Sequence, residues 1–148
     1  MAPKKPQRRR DSLRLKDFDY SSEGCYFVTI ACKQKKTWLE GDVAKRIVQK
    51  QLTSLEHRFG IVVDCSVIMP DHIHLMIILP KSGEVNLSQV IQALKSLVAK
   101  EFRENSGIPQ SIWQRGFYDH VIRNEKDYLE KKRYILQNPL KKQLSGQG

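Results

Sequence analysis

Blocks of two different periodicities alternate along the chain. Residues 25–32, CYFVTIAC, are β-branched and aromatic, the composition of a strand. After the turn-like Gly41-Asp42, the stretch VAKRIVQKQLTSLEHRF sets Val43, Ile47, Leu52 and Leu55 close to helical spacing, and Gly60 closes it. IVVDCSVIM (61–69) and HIHLMIIL (72–79) read as two further strands. Only Pro70-Asp71 separates them, so they form a hairpin. Asn86, with Gln89 three residues on, makes a capping box for the amphipathic helix LSQVIQALKSLVAKEF. FYDHVIR (117–123) is a fourth strand, and Asn124 caps a last helix, EKDYLEKKRYILQ, which Asn138-Pro139 is expected to stop. The order β-α-β-β-α-β-α is that of an α+β domain. Its first six elements form a split β-α-β arrangement, with a four-stranded antiparallel sheet and both long helices on one face. The C-terminal helix is left to cover the other face.

Composition narrows the setting. At 148 residues the chain fits one domain, and no apolar run approaches the length of a membrane span, so no membrane partner is expected. The N-terminus is basic with no apolar segment behind it, unlike a secretory signal. Three scattered cysteines in no CxxC spacing fit a reducing, cytoplasmic setting. Twenty-six Lys plus Arg against sixteen Asp plus Glu give a net charge of +10, a footprint of nucleic-acid binding. Residues 1–16 hold seven of the cations, Arg8, Arg9 and Arg10 among them, against the single acid Asp11. They read as a flexible basic arm that neutralises phosphates, ahead of a folded domain over 17–143 and a short tail over 144–148. A second basic cluster, Lys131, Lys132 and Arg133, directly precedes Tyr134.

The candidate chemistry begins in MPDHIHLMIILP (69–80). Side chains two apart on a strand share a face, so His72 and His74 project together while Ile73 and Leu75 point the other way. Two imidazoles so placed can reach one metal ion or one phosphate; they can equally be satisfied polar residues at a strand end. A structural zinc site needs four ligands, and the cysteines are poorly placed for it. On the last helix Tyr134 and Asn138 are one turn apart on one face. If that face lies on the histidine face of the sheet, a phenol, an amide oxygen and two imidazoles converge.

Taken together, DYSSEGCYFVTI, MPDHIHL, IWQRGFYDHVIR and DYLEKKRYILQNPLKK resemble the REP-associated tyrosine transposases, within the HUH single-tyrosine transposases, where U is a bulky apolar residue, here Ile73. The resemblance spans roughly residues 10–143. It implies a ferredoxin-like sheet and cleavage and rejoining of hairpin-bearing single-stranded DNA. It assigns His72 and His74 to a divalent metal, Tyr134 as nucleophile, and Asn138 as the amide that completes the metal site. Some family members exchange the tyrosine helix within dimers and others act in cis, so the resemblance leaves a homodimer open.

The residue types suit that chemistry. A phenol of ordinary pKa, about 10, is a poor nucleophile at neutral pH, and a phosphodiester is a reluctant electrophile. A cation held by uncharged ligands keeps its full charge for the phosphate, and an oxygen-rich substrate favours Mg²⁺ or Mn²⁺. Lys131, Lys132 or Arg133 would favour the phenolate. Attack by Tyr134 would leave a 5′-phosphotyrosine and a free 3′-OH. Arg115 and Arg123 are candidate phosphate contacts, and Trp113 and Phe117 candidate stacking residues or core. His120 is expected in a structural hydrogen bond, and Asp71 in a turn. Two other readings stand beside this one. A non-catalytic or domesticated single-stranded nucleic-acid-binding protein would use the same sheet without the chemistry. A histidine-triad nucleotide hydrolase would need a third alternating histidine where Met76 stands.

Overall fold

The computed structural model describes residues 24–106 and 111–144, with backbone alone for 106 and 139–144. The basic arm expected over 1–16, with Arg8, Arg9 and Arg10, lies outside the described residues, as does 145–148 of the tail. Four strands and three long helices follow in the expected order: β1 (Gly24–Ala31), α1 (Asp42–Phe59), β2 (Val62–Met69), β3 (His72–Leu79), α2 (Leu87–Ser106), β4 (Tyr118–Val121) and α3 (Glu125–Leu144). A single 3₁₀ turn, Lys33–Lys35, lies between β1 and α1.

All strand pairs are antiparallel, in the order β2-β3-β1-β4. That places the histidine strand β3 and its neighbour β1 in the middle of the sheet. One face packs Val28, Ile30, Ile73, Leu75 and Ile77 against the buried stripes of α1 and α2. The other packs Phe27, Val67, Met69, Met76 and Ile78 against Tyr128 and Ile135 of α3. Alternate residues of each central strand therefore serve two cores, as the period of two requires.

Local signals act where they were read. Gly60, at φ 70°, ends α1 in the left-handed conformation that suits glycine. At the start of α2, the Asn86 amide N–H donates to Gln89 Oε1 (3.0 Å), and the Gln89 N–H donates to Asn86 Oδ1 (2.9 Å), a complete capping box. Asn124 caps α3 by accepting from the Asp127 N–H at 2.8 Å. Three details differ from expectation. Val43 is exposed, and Ala44 and Val48 join Ile47, Leu52 and Leu55 in the buried stripe of α1. β4 is only four residues long. The last helix runs through Pro139 to Leu144: a proline removes one amide donor and strains one turn, a local cost that the flanking turns here span.

β2 carries an irregularity that matters below. Val63 pairs with Ile77 and Cys65 with Met76, so Asp64 is an extra residue with no partner on β3. Such a bulge turns a side chain off its regular course.

Candidate functional site

The register sets up the site before any side chain is considered. His74 lies opposite Thr29 of β1 on one side and Val67 of β2 on the other, and His72 lies opposite Ala31 and Met69. The two imidazoles stand 4.7 Å apart, centre to centre, on the face covered by α3. Each has its inner nitrogen engaged: His72 Nδ1 is 2.6 Å from Asp71 Oδ1, and His74 Nδ1 is 2.9 Å from Thr29 Oγ1. With Nδ1–H donating in each ring, both Nε2 atoms present a lone pair. His74 Nε2 is buried and has no hydrogen-bond partner. A buried nitrogen held in this way suits a metal ligand, and the two rings fit the donor set of a divalent cation. Burial, reinforced by neighbouring His72, pushes the pKa of His74 down to about 4. The ring is therefore neutral, as a ligand must be, across the physiological range.

α3 delivers the phenol. Its first turn is capped by Asn124, and Tyr128 and Ile135 sink into the core between helix and sheet. Tyr134, one position before Ile135, is thereby set at the helix's flank, 44% exposed, with its ring 5.1 Å from the His74 ring and edge-on to it. Phe27 of β1 fills the angle between them: it stacks on His74 at 5.4 Å and meets Tyr134 edge-on at 6.0 Å. Asn138, half-buried, is one turn further along α3 from Tyr134. Among the described residues no group of three or more His, Cys, Asp or Glu is placed to hold a metal ion.

The cations divide. Lys132, expected on the DNA side, is turned inward and only 5% exposed. Its ammonium lies 3.2 Å from Asp64 Oδ2 and donates to the Tyr128 hydroxyl at 3.0 Å, while that hydroxyl donates to Asp64 at 2.5 Å. A group so buried and paired contacts neither phosphate nor the Tyr134 phenol. The inward turn follows from the β2 bulge, which brings Asp64 beneath the stripe of positions 128, 132 and 135. Lys131 pairs with Asp127 at 3.2 Å, and Asp127 also accepts from His120 Nε2 at 2.7 Å, the structural bond expected of His120. Arg115, Arg123 and Arg133 are exposed. Trp113 is core, its indole N–H donating to the Lys95 carbonyl at 2.9 Å, and Phe117 is half-buried. Asp71 lies in the β2–β3 turn as expected; what escaped the sequence reading is its bond to His72, together with the roles of Thr29 and Phe27. Strand pairing brings Thr29 and Phe27 to His74, and a single stretch of sequence carries no mark of register.

Comparison with known proteins gives consistent matches. A family model described as "Transposase IS200 like" matches residues 21–138. An uncharacterized protein of Haemophilus influenzae is 34% identical over 163 residues, covering 88% of this chain and 88% of the relative. A second protein of that organism, a putative REP-associated tyrosine transposase, is 32% identical over 133 residues, covering 83% of this chain and 74% of its own. In three dimensions the chain superposes on a REP-associated tyrosine transposase bound to a REP hairpin with a TM-score of 0.67, at 23% identity, over 86% of this chain and 73% of that one.

Proposed function

This chain belongs to the IS200-like transposase family, among its REP-associated tyrosine transposases, and from that membership we propose that it cuts and rejoins hairpin-bearing single-stranded DNA through Tyr134 in a metal-dependent reaction. The observation that carries the reading is the 5.1 Å approach of the Tyr134 ring to His74, whose buried Nε2 has no other partner. The hairpin is proposed from the likeness to the hairpin-bound transposase.

His72, His74 and Asn138 would hold a divalent ion, Mg²⁺ or Mn²⁺, which would supply a positive charge for the scissile phosphate and for the oxygens that gain charge in the transition state. The protein's own part is positional. Thr29 and Asp71 fix the tautomer and tilt of the two imidazoles, and Phe27 limits the swing of both His74 and Tyr134. The Tyr134 oxygen attacks phosphorus as its proton leaves to solvent. The bond from phosphorus to the 3′ oxygen breaks, and that oxygen takes up a proton to become a free 3′-OH. DNA stays joined to the protein as a 5′-phosphotyrosine ester. Because one phosphoester replaces another, a 3′-OH can reverse the step and rejoin strands without a nucleotide cofactor. The packing of α3 on the sheet of its own chain, with the Tyr134 ring 5.1 Å from that of His74, supports a reaction in cis.

The test is incubation with hairpin-bearing single-stranded DNA and Mg²⁺ or Mn²⁺, followed by denaturing electrophoresis. Wild-type protein yields a covalent adduct, and Tyr134→Phe binds the DNA without forming one. An adduct of undiminished yield in Tyr134→Phe would refute the nucleophile. Undiminished cleavage after chelation would refute the metal.

A further inference from the structure

Tyr118, the first residue of β4, is 59% exposed, so packing does not account for it. Its direction follows from its neighbours on the strand. His120, two residues on, bonds Asp127 of α3, and Ile122 lies in the core beneath α3. By alternation, Tyr118 projects from that same face. The register then places it opposite Thr29, which is itself opposite His74. The three make one row across three strands, and at about 4.8 Å per strand spacing Tyr118 stands roughly 10 Å from the histidine position.

The backbone that carries the ring is fixed by its approach segment. Lys95 Nζ donates to the carbonyls of Gln114 (2.9 Å) and Gly116 (2.5 Å). The Trp113 indole is tied to Lys95, and the Gln114 N–H bonds Ala31 O at 2.9 Å, so the chain entering β4 is fastened to both α2 and β1. An exposed aromatic ring on a fixed strand, in register with the histidine and tyrosine cluster, has the form of a stacking platform. We propose that Tyr118 stacks against one unpaired base of the single strand, on a nucleotide neighbouring the scissile phosphate. The inference rests on the reading of this site as a single-stranded DNA transesterase. It adds a subsite whose ligand is a nucleobase face, tolerant of base identity because every base offers one.

The test uses the full chain and a hairpin DNA whose single-stranded flank has been selected for wild-type binding from a randomised pool. With Tyr134→Phe as background to prevent cleavage, 2-aminopurine is placed at each flank position in turn. One position should be quenched on binding. Tyr118→Ala should abolish the quenching there and nowhere else and weaken binding roughly ten-fold, whereas Tyr118→Phe should keep both. Removing the base at that position should cost the background protein as much as Tyr118→Ala does, and should cost the Tyr118→Ala protein nothing further. An unchanged quenching pattern in Tyr118→Ala, or an abasic penalty that persists in it, would overturn the proposal. Adduct formation by wild-type protein on the same oligonucleotide is scored separately. A lost adduct with intact Tyr118-dependent quenching removes the chemistry and leaves the subsite; a normal adduct with no effect of Tyr118→Ala removes the subsite alone.

Discussion

Thr29 does for His74 what Asp71 does for His72, but with a neutral hydroxyl in place of a carboxylate, and its loss can be isolated. Thr29→Val keeps the side chain's shape and leaves His74 Nδ1 in a buried position with nothing to bond. Outer partners of this kind typically contribute 10–100-fold in metal affinity or activity. The expected outcome is an apparent Mn²⁺ requirement raised by about that factor, read from adduct yield against metal concentration, with stability lowered by about 1–3 kcal/mol for the nitrogen left bare. Asp71→Asn should act in the same direction through His72. Residues of this type are the least legible from sequence. His72 and His74 announce themselves because two imidazoles in an apolar strand share one face, whereas Thr29 is one hydroxyl among many until β1 is set beside β3. Lys132 is a further case. In Lys131-Lys132-Arg133 the charges look alike, and helical spacing sets Lys131 and Lys132 equally close to the line of Tyr128 and Ile135; Lys132 is the one drawn inward because the β2 bulge brings Asp64 beneath it, which no spacing within α3 reveals.

At the scale of elements, the docking of α3 on the sheet decides whether Tyr134 reaches the histidines. Among the described side chains of α3, Tyr128, Lys132 and Ile135 are buried, and the Asp64–Lys132–Tyr128 group stands where further apolar contacts would otherwise be. Asp64→Ala should destabilise the domain by about 3–5 kcal/mol, because it strands a buried ammonium, as urea titration would measure. The triple change Asp64→Leu, Tyr128→Phe and Lys132→Met removes both charges and the hydroxyl bonded to them, and should return stability to near the wild-type value or above it. The amino-terminal end of α3 answers to pH. Burial works to raise the pKa of Asp127, but the hydrogen bonds and charges of His120 and Lys131 outweigh it and hold the carboxylate below its ordinary range. A depressed folded-state value means the contribution is complete above the unfolded value of about 3.9 and is lost as pH falls through the lower, folded one. Asp127→Asn should therefore differ from wild type in urea midpoint at pH 6, and the gap should narrow on descent below pH 4. The element order and the split of two faces were legible because period and capping are local properties. The end of α3 was not, since whether a helix survives a proline depends on what its flanking turns can carry.

Across the whole molecule, the surplus of positive charge is partly spoken for inside. Lys132 is consumed by Asp64 and Lys131 by Asp127, so the cations left for a polyanion include exposed Arg115, Arg123 and Arg133. Binding to single-stranded DNA should weaken as salt rises, with log affinity linear in log salt. Arg115→Gln, Arg123→Gln and Arg133→Gln should each lower that slope by up to about one where the guanidinium meets phosphate, whereas Lys132→Gln should lower stability and leave the slope alone. A salt series on each variant separates the two effects.

The added residue in β2 has one more implication. Upstream of it Val62, an even position, faces α3; downstream Cys65, Val67 and Met69, all odd, do so. The two halves of the strand thus run in opposite parity, and excision of residue 64 would let every existing ladder pair close up unaltered. The sheet would lose nothing that it uses, and the helix above would lose its ionic tether. The ionic share of the attachment of α3 is thus written into one backbone unit, separable from the scaffold beneath it.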